Sequence, residues 1–261
     1  RPCKYARAKK RLSMNIHYPG GLRFIRIRYW LGILVLGFIS TGTEAQFSAD
    51  RTRASEEVVK RLRDEKFGSM LKSTVWKDSF GDPVSELTVC WENAKSTDRI
   101  QRELVRKAIT DTWQRYSTLK FSGWGSCGTA SANLRIQIDD VNPHTKGLGN
   151  QLDNIPNGMV LNFTFEKFSP DCRNDNTMYD MCVRSIAVHE FGHAIGLAHE
   201  HNRDDRDKSC LSKPQGSSGD YQLTPYDPDS VMNYCNPRYN NLGKLSYYDV
   251  ISVQSIYGPP R

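Results

Sequence analysis

Residues His189–Glu200 read HEFGHAIGLAHE, the spacing H-E-x-x-H-x-x-G-x-x-H-E. On a helix, His189 and His193 stand four residues apart and project from one face, where two imidazoles can share a metal ion with Glu190 beside them. Gly196 can take the left-handed conformation that ends a helix, so that the chain turns and brings His199 to the same ion. Three neutral imidazoles leave one position on Zn2+ open to water, the catalytic rather than the structural arrangement. The bland alternative is a helix whose histidines are packed or solvated. Gly196, His199 and Glu200 add constraints that a chance H-E-x-x-H does not carry.

The elements that must position these residues follow from periodicity. Leu87–Trp91 reads as a short strand, and Asp98–Tyr116 as an amphipathic helix with Ile100, Leu104, Val105, Ala108, Thr112, Trp113 and Tyr116 on one face. Leu134–Ile138 alternates as a second strand, and Asn157-Gly158 marks a turn before a strand over Met159–Phe165. Thr145–Leu152 is expected as an irregular edge strand, and Cys182–Ala194 as the metal-binding helix. Ser246 with Asp249 reads as the capped start of a last helix with Val250, Val253 and Ile256 as its stripe and Gly258-Pro259 as its stop.

Charge is distributed unevenly. The chain carries 36 Lys+Arg against 29 Asp+Glu, but residues 1–45 hold nine basic residues and only Glu44 as an acid, which leaves 27 basic against 28 acidic in 46–261. A nearly neutral remainder removes nucleic acid as an expected partner. Arg23, Arg26 and Arg28, the apolar run Tyr29–Ile39, and Thr43 and Ala45 at −3 and −1 have the grammar of an export signal cleaved after Ala45, with Met14 a candidate start. That run is about half the length of a membrane-spanning helix, so no stable span is expected. Residues 46–74 read as a leader or propeptide-like arm, and 75–261 as one catalytic domain. Its six cysteines, Cys90, Cys127, Cys172, Cys182, Cys210 and Cys235, suit three disulfides in an oxidising compartment, extracellular or periplasmic. Fifteen pairings exist; loop proximity favours Cys90–Cys127, Cys172–Cys182 and Cys210–Cys235. Asp204, Asp205 and Asp207 lack the spacing of a calcium loop, His144 and His201 are not expected as ligands, and the triplet Asn162-Phe-Thr164 falls inside an expected strand.

Downstream stands Ser230-Val-Met-Asn-Tyr234. Placed after an extended zinc helix, it resembles the methionine-containing turn of metzincin peptidases. HEFGHAIGLAHEHNRDDRD, from His189, is similar to the astacin branch through Glu200, Arg203 and Asp205-Arg206-Asp207. The resemblance implies an α+β metzincin-like fold: a twisted mixed sheet with an edge strand over the cleft, a long active-site helix and a Met-turn. It implies His189, His193 and His199 as Zn2+ ligands, Glu190 as general base, Met232 as support beneath the ligands, and Tyr234 as a further metal-side group that stabilises the reacting carbonyl. Asn233 departs from the histidine usual between Met and Tyr in astacins, and the ending LSYYDVISVQSIYG looks more like matrixins, so a divergent member is expected. The expectation is a secreted, monomeric zinc endopeptidase acting on protein or peptide substrates. The alternative is a catalytically silent binding protein, secreted or membrane-tethered, on the same fold.

Overall fold

The structure is a computed structural model that describes residues 69–261. The expected export signal and nearly all of the expected arm therefore lie outside the described residues.

Strand β1 (Glu86–Trp91) buries Leu87, Val89 and Trp91 on one side, as its alternation requires. Helix α1 (Arg99–Thr110) buries Val105, Ala108 and Ile109, but it is shorter than the expected Asp98–Tyr116. The backbone breaks at Thr112 (φ −119°, ψ −102°), and a separate turn, Trp113–Tyr116, follows. The break lets Trp113 swing into the core, where its indole N–H donates to the Val188 carbonyl at 2.8 Å. Ile100, placed on the buried face by periodicity, is 70% exposed, because the first turn of α1 projects beyond the core.

Strand β2 (Lys120–Ser126) has no counterpart in the sequence reading. Its KFSGWGS carries no clean alternation, and a bulge falls between Val89 and Cys90 of β1 opposite it. Gly123, at φ +86°, permits that bulge; a Cβ there would lie 2.8 Å from the Val89 carbonyl oxygen. Strand β3 (Leu134–Ile138) lies where expected. The edge strand β4 is only His144–Thr145, not Thr145–Leu152, and a 3-10 turn occupies Gly149–Leu152. Gly149 takes φ +50° against the Thr74 carbonyl, where any Cβ would collide, so the chain leaves the sheet early. Strand β5 is Met159–Leu161, shorter than the expected Met159–Phe165. Asn162 ends it, its side-chain carbonyl accepting from the Thr164 and Phe165 N–H groups. The same side chain is 1% exposed and donates to Asp140, which hides the glycosylation triplet.

The sheet order is β2-β1-β3-β5-β4, all parallel except β4, which pairs antiparallel with β5. Helix α2 (Asn176–Ala194) starts earlier than the expected Cys182 because Asp175 caps it, accepting from the Met178 N–H at 2.8 Å. It packs on α1, and both share with the sheet one apolar core that includes Trp91, Trp113, Phe165 and Phe191. Helix α3 (Tyr247–Tyr257) carries the capping box of Ser246 and Asp249 and stops at Gly258, φ +83°; Val253 and Ile256 are buried, whereas Ile251 rather than Val250 completes its inner face. The segment ahead of Trp76 packs with the domain too: Met70 is buried and bridges Leu197 and Tyr221. Disulfides join Cys90–Cys127, Cys172–Cys182 and Cys210–Cys235. Among the described residues no helix is long and apolar enough to cross a membrane.

Candidate metal centre

Three imidazoles converge. His189 and His193 project from the last turns of α2, and Gly196 at φ +99° turns the chain so that His199 arrives from outside the helix. The Nε2 atoms of His189 and His193 stand 3.2 and 3.1 Å from that of His199. Each opposite ring nitrogen is tied down: His189 Nδ1–H donates to the Val231 carbonyl at 2.7 Å, His193 to Leu197 at 2.8 Å and His199 to Gln215 at 2.8 Å. These bonds place every proton on Nδ1, so the three Nε2 lone pairs face one another. Such a set is repulsive without a cation. Four-coordinate zinc with Zn–N of roughly 2.05 Å would space its nitrogens by roughly 3.3 Å, close to the separations of His189 and His193 Nε2 from His199 Nε2. Among the described residues this is the one His/Cys/Asp/Glu group able to hold a metal ion, and neither His144 nor His201 belongs to it. Burial favours the neutral form of all three imidazoles, pushing His189 down to about 3 and His193 and His199 below their ordinary values.

Glu190 is 4% exposed, and its Oε2 has no hydrogen-bond partner. Burial pushes its carboxyl up to about 8. Tyr234 is 41% exposed, with its ring 5.3 Å from that of His189 and 4.5 Å from that of His199. Its phenol is raised by burial and then by the nearby Glu190.

Met232 lies beneath the helix and is buried. Gly192, between the two helical histidines, lets it approach: a Cβ there would come within 2.3 Å of the Met232 sulfur. The turn is held from three sides. Glu200 N–H donates to the Met232 carbonyl at 3.0 Å, and the Asp249 carboxylate accepts from Ser230 Oγ at 2.7 Å and Val231 N–H at 3.0 Å. Asn233 donates to the Asp227 carbonyl at 2.8 Å and the Tyr226 hydroxyl at 2.9 Å. Arg203, fully buried, forks onto Asp205 at 2.7 and 2.6 Å and lies 3.4 Å from Glu200. Asp205 is thereby used as an ion-pair partner. The carbonyls of Val231, Leu197 and Gln215, and the double duty of Asp249, escape a sequence reading because backbone partners leave no residue-type signature.

Comparison with known proteins agrees with this geometry. The family model for the astacin peptidases matches residues 174–214. The dorsal-ventral patterning protein tolloid of Drosophila melanogaster is 37% identical over 89 residues, 29% of this chain and 8% of that protein. Matrix metalloproteinase-C of Caenorhabditis elegans is 24% identical over 242 residues, 89% of this chain and 36% of that protein. The chain thus spans well under two thirds of the length of these curated relatives. Among solved structures, myroilysin shares the fold with a TM-score of 0.52 at 20% identity, over 74% of this chain and 99% of that chain.

Proposed function

From an astacin-like metzincin chain, we propose a secreted zinc-dependent endopeptidase that hydrolyses peptide bonds in protein or peptide substrates. The observation that carries this reading is the convergence of three Nε2 lone pairs beside a buried, unpartnered carboxylate oxygen. His189, His193 and His199 would hold Zn2+, which when bound polarises the carbonyl and lowers the pKa of water to roughly 7. Glu190 takes the proton of the attacking water and delivers it to the leaving amine nitrogen. Tyr234 donates its hydroxyl to the developing oxyanion, a transition-state contact worth about 3 kcal/mol. Met232 supports the ligands from below. β4, at the edge of the sheet, offers an unpaired side to which an extended peptide can add as a strand. The export-signal grammar and three disulfides support an extracellular or periplasmic location.

Metal analysis tests the ligand set. The purified protein is expected to hold about one zinc ion per chain and to lose peptide cleavage to a chelator, with recovery on adding zinc. His193→Ala is expected to lose both; undiminished zinc in that variant would refute the site.

A further inference from the structure

We propose that His201 is the positioning residue for Tyr234, a role that rests on the peptidase reading above. His201 is completely buried although it is no member of the metal-binding group. Its ring stacks on that of Tyr234 with centroids 4.5 Å apart and planes only 18° from parallel. Its Nδ1 accepts from the Tyr234 backbone N–H at 3.3 Å, so both the ring and the main chain of the tyrosine bear on one side chain. His201 also lies 4.8 Å from the ring of His199, so it touches both a proposed ligand and the proposed oxyanion donor, whose rings are 4.5 Å apart.

The histidine is itself held. Arg206 donates to the His201 carbonyl at 2.6 Å and to that of Ser212 at 3.0 Å. The Cys210–Cys235 disulfide then joins the segment that begins at His201 to the residue directly after Tyr234. The stack, the N–H bond and the disulfide therefore tie His201 and Tyr234 into one unit, in which the tyrosine residue keeps 41% of its surface exposed. The stack on His201 is the closer of two near-parallel ring contacts to the phenol, the other being His189 at 5.3 Å and 22°, and it helps to hold the ring plane; the long N–H bond alone would leave the ring free to rotate about its side-chain bonds. An oxyanion donor must sit within a few tenths of an ångström of its target, so loss of this stack acts on kcat rather than on substrate binding.

The test compares His201→Gln, which keeps an acceptor but no ring, with His201→Phe, which keeps the ring, in the zinc-loaded full chain. His201→Gln is expected to lower kcat about 10-fold with KM and zinc content unchanged, and His201→Phe to restore most of it. In the Tyr234→Phe background, His201→Gln is expected to cause no further loss. A second readout needs no activity: with 13C-labelled tyrosine in the metal-free protein, the ring resonance that disappears in Tyr234→Phe is expected to shift in His201→Gln and to stay displaced in His201→Phe. Additive losses, an unmoved resonance, or loss of zinc in His201→Gln overturn the positioning role. Full activity of Tyr234→Phe instead overturns the catalytic role of the tyrosine, while the resonance still decides whether His201 orients it.

Discussion

Gly192 shows how one atom decides the centre. An alanine in a helix interior is favoured over glycine by about 1 kcal/mol, yet here its Cβ would lie 2.3 Å from the Met232 sulfur and 3.3 Å from the Trp113 ring. Overpacking of that kind costs about 1–3 kcal/mol, so the clash outweighs the helical gain. Gly192→Ala is expected to lower the unfolding free energy of the metal-free protein by about 1 kcal/mol and to weaken zinc binding, measured by denaturant titration and competition with a chromophoric chelator. A more stable variant with unchanged affinity would contradict this account of the close packing. The convergence of His189, His193 and His199 is legible in the sequence because helical spacing sets the first two and Gly196 turns the chain toward the third. The Met232–Gly192 contact was legible only as a motif, since nothing in residue order says which helix position a distant turn will press upon.

Asp249 links α3 to the turn beneath the metal centre. Its carboxylate caps its own helix by accepting from Ser246 N–H at 2.9 Å and also holds Ser230 and Val231. Burial pushes its pKa up to about 6. Because the folded pKa is raised, the native state binds more protons than the unfolded chain between about pH 4 and 6, and this group's contribution to stability falls as pH rises through that window. Asp249→Asn removes the titration while one amide oxygen can still accept from both N–H groups. Its stability relative to wild type is therefore expected to improve by on the order of 2 kcal/mol between pH 4 and pH 7. Parallel denaturant curves at the two pH values check this; a constant difference would show that Asp249 does not titrate there. At this scale the sequence spoke clearly where caps and periodicity agree, as in α3. It misled where a local bond overrode periodicity, as with Thr112 and Asn162, whose side chains end elements that the apolar pattern would continue. β2 escaped because its glycines serve the bulge rather than an alternating face.

At the scale of the whole molecule, the described residues form an α+β domain whose sheet, α2 and Met-turn meet at the three histidines. Three disulfides close loops of 37, 10 and 25 residues around it. Each such closure typically contributes about 2–4 kcal/mol. Reduction is therefore expected to lower the thermal midpoint strongly, and the denatured but unreduced segment 46–261 to show no free thiol; six reactive thiols would contradict the export reading. The central claim is that Glu190 serves as the base of a zinc endopeptidase, and one comparison addresses it most directly. Wild type and Glu190→Gln, matched for zinc content, are incubated with the same peptide library and cleavage is followed by mass spectrometry. The account predicts chelator-sensitive cleavage by wild type and a loss of about 10²–10⁴-fold in Glu190→Gln with zinc still bound. Equal cleavage by the two proteins, or none by zinc-loaded wild type, would contradict it.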